Sequence, residues 1–168
     1  WQVFDNDGTT NGEYYWAKKN CTADAGSYRG WAVGGGVNGA ALACGSNYPN
    51  NAQSWMVYGP FSLVGATAAD LKFKLWLNSE LNYDGVCQMA SINGANFSGG
   101  CTTGNTPGWI DSVLDLTSAG SLGNLTGQPN VWIALMISSN SSNNNPEGAY
   151  VDKIVLRKCS TTTPTTTP

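Results

Sequence analysis

Asp70-Leu71-Lys72-Phe73-Lys74-Leu75-Trp76-Leu77-Asn78 is the stretch that decides the fold. Its period of two puts Leu71, Phe73, Leu75 and Leu77 on one face of a strand, with Lys72, Lys74 and Trp76 on the other. An α-helix, with its period of 3.6, would scatter the same leucines around its axis. Val131–Ser138 is the second strong strand: Val131, Ile133, Leu135 and Ile137 fall on one face, Trp132, Ala134 and Met136 on the other. Two apolar faces predict a central strand covered on both sides.

Working outward, residues 1–4, 14–17, 85–92, 109–116 and 149–158 read as further strands, and short ones are expected around Trp31 and Leu42. Residues 66–70 and 118–124 could each hold one helical turn, while 93–107 and 140–145 read as loops. No window carries a convincing run of apolar residues at helical spacing. Many short strands punctuated by Gly, Asn and Pro predict an all-β fold, an antiparallel two-sheet β-sandwich (jelly roll). The expected organisation is one domain over 1–159 and an extended Thr/Pro tail or linker over 160–168.

Composition sets the surroundings. Of 168 residues, 41% are hydrophobic and only 11% charged, against roughly 25% charged in an ordinary soluble domain. Eight Lys plus Arg are scattered along a chain of net charge −3, which argues against a nucleic-acid partner. No apolar run approaches the ~20 residues of a membrane span. The chain starts at Trp1 rather than Met, which reads as a processed or excised piece. There are five Cys and no His. Without His and without a C-x-x-C, disulfides are favoured over zinc or a redox dithiol, and they imply an oxidising, extracellular or cell-surface setting. The pairing chosen is Cys21–Cys44 and Cys87–Cys101, each closing a short excursion between strands. Cys159 is left as a free thiol or an intermolecular partner.

The last residues repeat Thr-Thr-Thr-Pro. Such tracts favour polyproline-II geometry and serve as linkers or O-glycosylated stalks, so Thr161, Thr162, Thr163, Thr165, Thr166 and Thr167 are candidate glycan sites. Asn20, Asn96, Asn124 and Asn140 each open an N-x-[ST] sequon, although a chain rich in Asn, Ser and Thr produces such matches by chance. Most tryptophans sit within apparent strands and read as core. Trp76, on the lysine face, is the best placed to be exposed and to stack on a sugar.

The segments Trp55-Met56-Val57-Tyr58-Gly59-Pro60-Phe61-Ser62-Leu63, Leu71 to Glu80 with Tyr83-Asp84, and Glu147-Gly148-Ala149-Tyr150-Val151-Asp152-Lys153-Ile154-Val155-Leu156 resemble the MAM-like jelly-roll modules of bacterial secreted proteins. The accessory module of immune-inhibitor-A-type peptidases is the nearest kind. The resemblance spans about 31–157 and implies a noncatalytic sandwich used for adhesion, targeting or assembly; the cysteines and the tail depart from it. It also implies calcium, held by carboxylates near strand ends. Asp152 shares an alternating face with Tyr150, Ile154 and Leu156, and a lone carboxylate there needs a partner. Glu80, Asp84 and Asp152 would together offer hard oxygen ligands to Ca²⁺. The alternative is a buried hydrogen-bonded or ion-paired arrangement, with Arg29 as one partner. Asp5-Asn6-Asp7-Gly8 resembles the start of an EF-hand loop, but Trp16 stands where the bidentate Glu belongs, so a plain turn is expected.

Lack of His removes the Ser-His-Asp and Cys-His arrangements. No motif selects a pair among Glu13, Glu80, Glu147 and the aspartates for glycosidase work. Two function classes follow. The first is a structural or adhesive module, a glycosylated subunit of a surface assembly or filament. It would associate head to tail through the N-terminal strand 1–4 or the tail 160–168. The second is a carbohydrate-binding accessory module with glycan partners.

Overall fold

A computed structural model describes residues 1–8, 12–21, 23–142 and 147–160. The strands are β1 (Gln2–Asp5), β2 (Tyr15–Lys19), β3 (Arg29–Gly35), β4 (Gln53–Phe61), β5 (Ala66–Asn78), β6 (Gly85–Ser91), β7 (Ser98–Thr103), β8 (Ile110–Asp115), β9 (Val131–Ser138) and β10 (Gly148–Ser160). They make two five-stranded sheets, ordered β1-β4-β9-β6-β7 and β2-β3-β10-β5-β8, with every ladder antiparallel. Helix is confined, among the described residues, to the single turn α1 (Gly36–Gly39) and a 3-10 turn at Gly120–Leu122.

The fold follows from the two periodic stretches. Leu71, Phe73, Leu75 and Leu77 of β5 are buried, as are Val131, Ile133, Leu135 and Ile137 of β9, and these rows form the centre of one core. Burying each such side chain is worth about 1.5–3 kcal/mol. As its two apolar faces predicted, β9 lies in the middle of its sheet. Disulfides join Cys21 to Cys44 and Cys87 to Cys101. The first ties the β2–β3 connection to the loop after α1; the second links directly opposed residues of β6 and β7.

Three expectations are corrected. Residues 66–70 are not a helical turn but the opening of β5, laddered to Arg157, Lys158, Cys159 and Ser160 of β10. The loop expected at 93–107 contains β7, an edge strand with no apolar side to betray it. Around Leu42 there is no strand: α1 and a loop occupy the stretch.

The fourth difference has the largest consequence. In β10 the register against β5 shifts between Asp152 and Val155, and Lys153 at the shift has φ +50°. This β-bulge adds one residue to the strand and reverses its alternation. Tyr150 stands opposite Trp31 and Trp76, whereas Leu156 stands opposite the buried Leu71. Ile154 and Leu156 therefore turn toward the space between the sheets, while Asp152 and the fully buried Tyr150 lie on the opposite side of β10.

Candidate functional site

The acidic end of β5 is a structural knot. Asp84 is fully buried. Its Oδ2 accepts from the Tyr48 hydroxyl at 2.6 Å and its Oδ1 from the Asn140 backbone N–H at 2.7 Å. The Tyr48 oxygen also accepts from the Glu80 N–H at 3.2 Å, and Asn140 Nδ2 donates to Glu80 Oε2 at 3.2 Å. Three loops are thus pinned to one carboxylate, the hydrogen-bonded alternative raised above, with other partners than Arg29. Asp152 lies elsewhere. It opposes Lys74, four residues along from the Asn78–Gly148 pair, or roughly 13 Å at about 3.3 Å per residue. Its carboxylate accepts from the N–H groups of Ala25 and Lys153. Glu80 and Asp84 share Tyr48 and Asn140 as partners, and Asp152 does not join them.

Trp31, Tyr150 and Trp76 form an aromatic row across the outer face of the second sheet, with both ring separations 5.5 Å. Trp76 is half-buried in this row rather than standing free as a platform. The Arg29 guanidinium lies 4.2 Å over the Tyr150 ring, a cation–π contact in place of an ion pair with Asp152. Burial pulls Arg29 below its usual pKa and pushes the Tyr150 phenol well up.

The carboxylates that do converge are Asp5, Asp7 and Glu13, whose oxygens lie within 4.8 Å of one another. The segment expected to be a plain turn supplies two of them. Asp5 is only 7% exposed, and Asp5 Oδ1, Asp7 Oδ1 and Glu13 Oε2 are buried with no hydrogen-bond partner among the described residues. Burial, then Asp5 and Glu13, raise the Asp7 pKa. Backbone geometry holds the cluster: the Glu13 carbonyl accepts from the N–H groups of Asn38 and Gly39, and Gly12 O from Val37. Gly36 packs there at φ +94°, where a Cβ would come 2.3 Å from Glu13 O. Three carboxylates with oxygens to spare are a donor set for a hard cation such as Ca²⁺. The three lie within nine positions of the sequence, and what the sequence hides is that N–H groups of α1 hold Glu13 in place through its carbonyl.

A second feature lies at the end of the sandwich beyond the bulge, where the sheets part. Trp1, Val3, Met56 and Tyr58 face inward from the first sheet, and Trp16, Gly30, Ile154 and Leu156 from the second. They line two adjoining cavities of about 350 and about 300 Å³ that share Trp1 and Ile154. Trp1 is 48% and Tyr58 42% exposed although both project between the sheets. Farther along β10, Lys158 Nζ donates to the carbonyls of Ser62 and Val64 at 3.3 and 2.8 Å.

On the outside of the first sheet, Phe4, Trp55 and Phe97 form a shallow aromatic dish, with ring separations of 6.0 and 5.5 Å. Asn20, Asn96 and Asn124 are exposed; Asn140 is half-buried and its amide nitrogen is engaged by Glu80. Cys159 is an exposed free thiol. Thr161, Thr162, Thr163, Thr165, Thr166 and Thr167 lie outside the described residues. No described helix is long and apolar enough to cross a membrane.

No family model matches the chain, and no curated protein matches it in sequence. Among solved structures it is similar to the K2 cleaved adhesin domain of Lys-gingipain, with TM-score 0.57 and 17% identity over 92% of this chain and 87% of that one. It is also similar to TmCBM61, solved in complex with β-1,4-galactotriose (TM-score 0.51, 12% identity, 94% and 88% covered). The third is a xylan-binding domain from CBM 22 (TM-score 0.50, 9% identity, 95% and 96% covered). At these identities the likeness concerns the fold: a β-sandwich of the kind found in adhesin and carbohydrate-binding modules. The narrower MAM-like assignment has no family match behind it.

Proposed function

We propose that this chain is a noncatalytic, extracellular adhesive module of MAM-like type that joins copies of itself head to tail into a surface assembly. The reading divides it into a sandwich over 1–159 and a tail over 160–168. The observation that carries it is the open end of the sandwich, where inner faces that should meet each other are instead lined by exposed Trp1 and Tyr58. Contiguous apolar surface of that kind marks an interaction site, and a heterologous contact that does not close on itself grows into a filament. Two disulfides and the low charge support an extracellular setting. The adhesin and carbohydrate-binding sandwiches of like fold support a binding role rather than catalysis.

Sedimentation velocity over a wide concentration range, with negative-stain microscopy of the same samples, tests the assembly. Mass that grows with concentration, and is lost in Leu156→Asp, is expected. Monomers at every concentration would sink self-association and leave the second reading, glycan binding. The Phe4–Trp55–Phe97 dish favours that reading, because stacked aromatic faces suit sugar rings. It predicts a saturable change in tryptophan fluorescence with soluble polysaccharide that Trp55→Ala abolishes.

A further inference from the structure

The open cleft has a counterpart at the opposite end of the sandwich. The turn 80–84 joins β5 to β6 and presents Leu81 at 64% and Tyr83 at 69% exposure. Tyr83 is the most exposed aromatic side chain among the described residues. Large apolar side chains gathered on one short turn in water mark an interaction surface. This one stands on a rigid base. The N–H groups of Tyr83 and Asp84 donate to Glu80 O at 3.3 and 3.0 Å. Ser79 Oγ donates to the Asp84 carbonyl at 2.8 Å, and Tyr48 and Asn140 hold the Asp84 carboxylate. Leu81 lies over Gly104, where a Cβ would come 2.8 Å from its Cδ1. A turn fixed in this way loses little entropy when it docks.

Knob and cleft are too far apart to meet within one copy. Asn78, beside the turn, is paired with Gly148, whereas Leu156 of the cleft is paired with Leu71, seven positions back along β5. That is roughly 23 Å at about 3.3 Å per residue. Their charges are also of opposite sign. The turn and the loops that Asp84 pins to it hold Glu80, Asp84 and Glu147, and no Lys or Arg occurs from 30 to 71 or from 75 to 152. Lys18 and Arg29 line the first cavity of the cleft, and no carboxylate lines either cavity.

We infer that the cleft of one copy is the socket for the turn 80–84 of the next, with Leu81 and Tyr83 entering between the sheets against Tyr58, Ile154 and Leu156. This rests on the assembly reading above and names the two surfaces that would meet. An aromatic anchor seated in an apolar pocket is the kind of contact that dominates interface energetics. The acidic knob meeting the basic lining fixes the direction of docking. Knob and socket are different surfaces at different places, so each added copy leaves one of each unused and the assembly stays open.

Cross-complementation supplies the test. Sedimentation velocity is run on the full-length chain, on Tyr83→Asp, on Tyr58→Asp and on an equimolar mixture of the two variants. Both side chains are exposed, so folding is expected to hold, checked by circular dichroism, and Leu81→Asp serves as a second knob variant. Each variant alone is expected to associate at least about tenfold more weakly than the unsubstituted chain. The mixture joins the intact knob of Tyr58→Asp to the intact socket of Tyr83→Asp, and is expected to give dimers of one variant with the other and nothing larger. Tyr83→Asp and Leu81→Asp chains that assemble as well as the unsubstituted one would overturn the knob while leaving the assembly reading standing. Variants that stay apart when mixed would overturn the pairing of these two surfaces. Unsubstituted chain that stops at dimers would overturn the open, head-to-tail contact. Unsubstituted chain that stays monomeric at every concentration would overturn this contact and the assembly reading together.

Discussion

The buried Asp84 carboxylate holds two loops at once, since its oxygens accept from the Tyr48 hydroxyl and the Asn140 N–H. Asp84→Ala leaves the buried Tyr48 hydroxyl and the Asn140 N–H without their acceptor, which costs about 2–4 kcal/mol. Urea unfolding checks it: an unchanged midpoint would remove the structural role. The Asp5–Asp7–Glu13 cluster behaves in the opposite sense. Like charges within 4.8 Å repel one another, so Asp7→Asn is expected to raise the melting temperature in chelator and to abolish any rise on adding Ca²⁺. A melting temperature of the unsubstituted chain indifferent to Ca²⁺ would show that the cluster binds none. The Asp70 carboxylate is held below its ordinary pKa, chiefly by its hydrogen bond to Arg157. Its stabilisation is present above the unfolded carboxylate pKa of about 3.9 and is lost as pH falls through the lower folded value. The stability curves of the native chain and Asp70→Asn should separate at neutral pH and converge in acid, modestly because the pair is at the surface.

Elements differ in how openly the sequence announces them. The alternation of β5 and the double apolar face of β9 are legible because burial writes hydrophobic periodicity directly into the residues. β7 is illegible: Ser98-Gly99-Gly100-Cys101-Thr102-Thr103 has no buried side, and the strand exists because it ladders onto β6 and is cross-linked to it. That bond closes a separation of 14 residues, so replacing both Cys87 and Cys101 by Ser should cost about 3 kcal/mol in the chain-entropy account, read as a shift in the urea midpoint. Should stability hold, β7 is kept in place by its ladder alone. The bulge at Lys153 is equally hidden, since no glycine marks its positive φ and only the register against β5 reveals it. Missing it put Asp152 among Ile154 and Leu156 and produced an apparent buried anomaly that the fold does not contain. The converging carboxylates escaped for a similar reason, as their proximity depends on α1 receiving the carbonyls of Gly12 and Glu13.

At the scale of the whole molecule, fold class, sheet count and both cross-links could be read from residues, because each depends on local pattern or short spacing. The parting of the sheets could not: Trp1, Tyr58, Ile154 and Leu156 are ordinary core types in sequence, and only the short span over which β3 accompanies β10 leaves them uncovered. That parting has a calorimetric consequence. Heat-capacity change and denaturant sensitivity both scale with the surface that unfolding newly exposes to water. In the isolated chain the apolar lining of the open end is already hydrated before unfolding begins. Its unfolding heat capacity and urea m-value should therefore lie below those of a closed sandwich of equal length, and both should increase once the cleft is occupied.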